Sequence, residues 1–70
     1  MSTEVVTVSV EARDVRPGET MIVGRYRETV HAVHMLQDGS VQIVFTGIAH
    51  PIVYASLALV IVQVIVQYLC

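Results

Sequence analysis

Residues 51–70 read PIVYASLALVIVQVIVQYLC, and the fold turns on whether this stretch crosses a bilayer as a helix or pairs as β-strand. Residues 52–69 carry no charge and only two amides, Gln63 and Gln67. About twenty apolar residues span a bilayer as a helix, and in helical projection Ser56, Val60, Gln63 and Gln67 would form one stripe for a partner helix. Two features oppose that reading. No Lys or Arg flanks the segment, the nearest being Arg27, so nothing anchors or orients a span. The eight positions 59–66 hold six β-branched residues, which fit a pleated sheet better than a helix. Gln63 and Gln67 also share one strand face with Leu59, Ile61 and Ile65. The expectation is a short strand at Ile52–Tyr54 and a long one at about residues 57–68, with a single-pass helix over 52–69 as the alternative.

A twelve-residue strand reaches about 40 Å, far beyond the usual five or six residues. Both faces beyond Val62 are apolar except for the glutamines, and an unpaired edge of that kind aggregates. The segment 63–70 is therefore expected to pair with, or pack into, other copies of the same chain. The interface expected is Leu59, Ile61, Val62, Val64, Ile65, Val66 and Tyr68.

Charge distribution supports this. The 70 residues make one domain, 54% apolar and 14% charged, against a typical quarter charged. All ten formal charges lie between Glu4 and Asp38, leaving the 32 residues from Gly39 onward without any. A small monomer rarely hides such a half. The net charge of −2 argues against nucleic acid as partner. The cations are all arginines, reflecting either forked recognition of anions or codon usage in a GC-rich genome. Cys70 is the one cysteine, so neither an intrachain disulfide nor a zinc cluster is expected; a bridge between subunits or a free thiol is. The N-terminal MSTEVVTVSVEARD lacks the basic and apolar regions of a signal peptide.

Upstream, the chain alternates and turns. Val6, Val8, Val10 and Ala12 share one face, and Val5, Thr7, Ser9 and Glu11 the other. Pro17-Gly18 suits the centre of a type II turn. Gly24 stops a short apolar run. Period two then places Val30, Ala32 and His34 on one face, and Thr29, His31, Val33 and Met35 on the other. Asp38-Gly39 reads as a two-residue hairpin turn, and Val41, Ile43 and Phe45 share a face beyond it. Fifteen valines and six isoleucines stand against four leucines. Five or six short antiparallel strands in a small SH3-like barrel, all-β, are expected over residues 1–70.

The stretch ARDVRPGETMIVGRYRETVHAV, followed by DGSVQIVF, resembles small all-β proteins (SH3-like or Hint-like barrels) of actinobacteria and their phages. Ala12, Asp14, Val15, Pro17 and Gly18 match that pattern, with Glu19 where aspartate is usual, and the resemblance covers roughly residues 5–62. It implies fold and origin, with ASLALVIV in place of the closing strand. Splicing chemistry does not carry over: no nucleophilic Cys or Ser leads the domain, and no Thr-x-x-His occurs, Thr29 being two residues from His31 and Thr46 four from His50.

Chemistry is sparse. His31, His34 and His50 are the only imidazoles, and strand positions three apart point to opposite faces, so no metal site is expected. No phosphate loop or nucleophile elbow is present, and no catalytic residue or cofactor is expected. The acids are spread among arginines as a solvated rim. One polar patch, Arg25, Tyr26, Arg27, His31 and His34, is a candidate site for an anionic small molecule; otherwise it is an ordinary strand end. The leading expectation is a non-enzymatic, phage-type structural or interaction module that forms a homo-oligomer and meets phage or host proteins, cytoplasmic or virion-associated. The alternatives are the membrane protein and an oligomeric anion binder.

Overall fold

A computed structural model describes residues 2–68, Tyr68 by its backbone only; Cys70, and any bridge through it, lies outside the described residues. The chain is all-β. Six strands, β1 (Ser2–Glu11), β2 (Thr20–Val23), β3 (Tyr26–Met35), β4 (Val41–Phe45), β5 (Ile52–Tyr54) and β6 (Leu59–Tyr68), are joined by turns and one 3₁₀ turn at Ala12–Asp14. The stretch 52–69 therefore begins with β5, turns, and continues as β6 through Tyr68, where a membrane helix would have run without a break. No helix among the described residues is long and apolar enough to cross a membrane.

All neighbours are antiparallel, in the order β1-β6-β2-β3-β4-β5. The last strand is inserted between the first two. Among the described residues no ladder joins β5 to β1, so the sheet stays open where a closed barrel would pair its ends. It nonetheless curls around one core. Met21 of β2, Val30 of β3, Val41, Ile43 and Phe45 of β4, and Val60 and Val62 of β6 form a single buried cluster with Ala12 and Val15. The alternation of β4, inward at positions 41, 43 and 45, follows directly from the period of two.

Turn chemistry fixes the registers. Glu19 N–H donates to the Arg16 carbonyl at 3.3 Å and Gly18 sits at φ 92°, which makes residues 16–19 the type II turn expected from Pro17-Gly18. The Arg16 N–H donates to the Glu19 carboxylate at 2.6 Å, a bond across the turn. Gly18 N–H then donates to the Val30 carbonyl, and Val30 N–H to the Glu19 carbonyl, both at 2.8 Å. The β3–β4 hairpin differs from expectation. Gly39 N–H donates to the Leu36 carbonyl at 3.0 Å and Leu36 N–H to the Ser40 carbonyl at 2.9 Å, with Gly39 at φ 88°. The loop is thus the three residues Gln37, Asp38 and Gly39, closed by a glycine in the left-handed region.

A second departure lies inside β3. Val30 opposes Phe45, but Ala32 opposes Val44, so His31 is the extra residue of a β-bulge. The bulge reverses the face of everything after it. Val33 and Met35 oppose Ile43 and Val41 and so share the face of Val30, Val33 packed against the core and Met35 exposed at the strand end, while His34 turns outward with Gln42. The grouping of Val30 with Ala32 and His34 is overturned for this reason.

Two outcomes follow. No atom lies within 4 Å of a Cβ built at Gly18, so Gly18→Val meets only backbone strain, costing about 1–3 kcal/mol; urea unfolding measures it. The Asp38 carboxylate accepts from Ser40 Oγ and, at 2.9 Å, from the Ser40 N–H, and these bonds hold its pKa below the ordinary value. A carboxylate with a depressed folded pKa stabilises the hairpin above the unfolded value, about pH 4, and the contribution is lost as pH falls through the folded value. NMR titration of Ser40→Ala should return the Asp38 pKa toward the ordinary range.

Candidate functional site

The feature that stands apart from the core is a ribbon. β1 pairs with β6 along ten consecutive positions, from Ser2 opposite Tyr68 to Glu11 opposite Leu59. β2 pairs with β6 only at Ile61, Val62 and Gln63, because the Pro17-Gly18 turn carries the chain away just before Thr20. From Val64 onward β6 has β1 on one side and, among the described residues, no strand on the other. The two strands therefore project past the body of the sheet. The principal extents are 47 × 23 × 19 Å and the radius of gyration is 13.1 Å, against about 11 Å for a compact chain of this length.

The ribbon carries exposed aliphatics on both faces, on the outward one among Thr3, Thr7, Ser9, Glu11, Gln63 and Gln67. On the outward face Val5 opposes Ile65, and they are 57% and 68% exposed. Ile61 and Leu59 continue that face toward the body, also exposed. On the inner face Val6 opposes Val64 and Val8 opposes Val62. Val62 is 1% exposed and belongs to the chain's own core, so it offers no surface to a partner; it is buried in the cluster that the curled sheet encloses. Leu59, Ile61, Val64 and Ile65 are exposed and Val66 is half-buried, whereas the Tyr68 side chain lies outside the described residues. Sequence reasoning missed Val5. Its place on the polar face of β1 concealed it, and only the register with Ile65 reveals the pair.

Beside the unpaired edge of β6 lies an open hollow of about 380 Å³, lined by Val5, Gly18, Glu19, Thr20, Gln63, Val64 and Ile65. It occupies the place where β2 would continue if the turn did not divert it.

The polar patch is not gathered within one chain. Arg25 lies in the β2–β3 turn, and Tyr26, Arg27, His31 and His34 follow along β3, all exposed. Arg27 and His34 are separated by seven steps of strand, about 23 Å. Tyr26 lies on the opposite face of β3 from Arg27, and His31 sits at the bulge. Among the described residues no three His, Cys, Asp or Glu side chains are placed to hold a metal ion. Arg13 instead forms a solvent-exposed ion pair with Glu11 at 3.0 Å, of small energetic consequence. Burial raises the Tyr54 phenol above its ordinary pKa, consistent with its packing against the core.

No family model matches this chain, and comparisons with curated proteins and with solved structures find no match.

The burial contrast along β6 has a direct test. Val62→Lys places an ammonium in the core and should abolish cooperative folding, at a cost of several kcal/mol. Ile65→Lys, two steps plus one on the outward face, should retain a sheet spectrum in circular dichroism.

Proposed function

We propose that this chain is a non-enzymatic, phage-type β-domain that assembles into a homo-oligomer through the β1–β6 ribbon and acts as a structural or interaction module. The observation that carries the proposal is the ribbon itself. It sets Val5, Ile65, Leu59 and Ile61 in solvent on one face and leaves an apolar strand edge without a strand partner among the described residues. Burying one such aliphatic contributes roughly 1.5–3 kcal/mol, and a two-stranded ribbon alone in water is marginal. Contact with another copy supplies what the ribbon lacks. The resemblance of roughly residues 5–62 to actinobacterial and phage β-proteins supports a cytoplasmic or virion-associated setting.

The test is the mass of the purified protein in solution, with Val64 and Ile65 both replaced by lysine. Light scattering should find the parent at a multiple of 7.7 kDa and the double variant at the monomer mass with its sheet spectrum retained. Val53→Lys, at an exposed position on β5, should leave the assembly intact. A parent that is monomeric at every concentration tested would refute the proposal.

A further inference from the structure

Resting on that reading, we infer that the oligomer forms by edge pairing: the open edge of β6, residues 64–68, takes the same segment of a second copy, antiparallel, across a two-fold axis at Val66. The sheet then continues through both chains as β1-β6 followed by its symmetry mate.

Among the described residues the free edges differ in protection. The edge of β3 past Val30 is broken by the bulge at His31 and carries His31 and His34, and a bulge twists an edge away from a second strand. β1 has an outer edge ten residues long, but it carries Glu4 and Glu11 with Ser2, Thr3, Thr7 and Ser9, and charged edge residues oppose strand addition. β5 is three residues long and follows Pro51, so it offers little to pair. The β6 edge has none of these protections: residues 64–68 contain no charge, no proline and no glycine. Its only polar side chain is Gln67, along with the phenol of Tyr68.

The occupant follows from symmetry, composition and the space beside the edge. An antiparallel strand is self-complementary, so one patch serves both partners in a closed two-fold dimer. Five open positions centred on Val66 place Val64 opposite position 68 of the second copy, and Ile65 opposite position 67, with no like charges facing. The second copy enters along the line of β2, at the hollow bounded by Gly18, Glu19 and Thr20.

Spin labels distinguish this arrangement from its rivals. In a Cys70→Ser background, nitroxides are attached to Gln67→Cys or to Thr3→Cys, the residue opposite it on β1. With strands about 4.8 Å apart and 3.3 Å per residue, the 67–67 backbone separation across the axis is about 8 Å and the 3–3 separation about 16 Å. Light scattering on each labelled sample measures assembly, and circular dichroism checks the fold. The expected result is a dimer in which label 67 is strongly broadened by dipolar coupling and label 3 gives the longer distance. A dimer with the order reversed means pairing through β1, and one with neither label coupled means another surface; either overturns the edge inference and leaves self-assembly standing. Monomers for the unlabelled parent and both labelled chains overturn both and leave the edge to a different protein.

Discussion

The ladder between β6 and its two neighbours is the constraint on which the structure depends. Among the described residues Val60 and Val62 are the only ones the C-terminal strand gives to the core, and they reach it because β1 holds β6 on one side and β2 on the other. Without β6 the first strand has no partner at all, since its ladder is to β6 alone. Met21, opposite Val62 and itself fully buried, would lose the surface it packs on. The join between chain ends is therefore the step that turns three local hairpin-like pieces into one domain, and it is the most non-local pairing in the chain. A loop of some fifty residues must close before that pairing is rewarded, a cost that grows slowly with length but must be met first.

Much of the local architecture was legible. β5 falls where the short apolar run between Pro51 and Ala55 placed it, and β6 occupies the run of β-branched residues. Gly18 takes positive φ where Pro17 demanded a glycine after it. Three things were not legible, each for a physical reason. His31 bears no mark of a bulge, because the extra residue is set by how β3 must bend from β2 toward β4, not by its own preference. The hairpin loop gained a residue because Asp38 bonds Ser40, stabilising a turn one residue longer than the Asp-Gly pair implies. Val62 passed for an interface residue because alternation separates two faces of a strand without telling which is covered.

The candidate site was half legible for the same reason. Residues 59, 61, 64 and 65 stood out through hydropathy and absent charge, both of which a sequence displays. The polar patch looked coherent only because its members are close in sequence. An extended strand carries neighbours apart at about 3.3 Å per residue, and β3 does so across a bulge. Clusters of polar residues make a site when turns fold them back on one another, as the Arg16–Glu19 turn does and β3 does not.

The segregation of charge along the chain acquires a structural meaning from the strand order. Charges occur only from Glu4 to Asp38, and the uncharged half contributes β4, β5 and β6. Inserting β6 between β1 and β2 surrounds the longest uncharged strand with charged segments of the first half: Glu4 and Glu11 lie along β1, and Glu19 precedes β2. On the β2 side that flank covers Ile61, Val62 and Gln63 only, among the described residues. Past Gln63 a single type II turn removes the neighbour from one side, and the uncharged half of the sequence reaches a strand edge five residues long. Had the turn come a few residues earlier in the chain, β2 would have covered that edge. The position of Pro17-Gly18 thus determines both where the core stops and how much of β6 remains open to another strand.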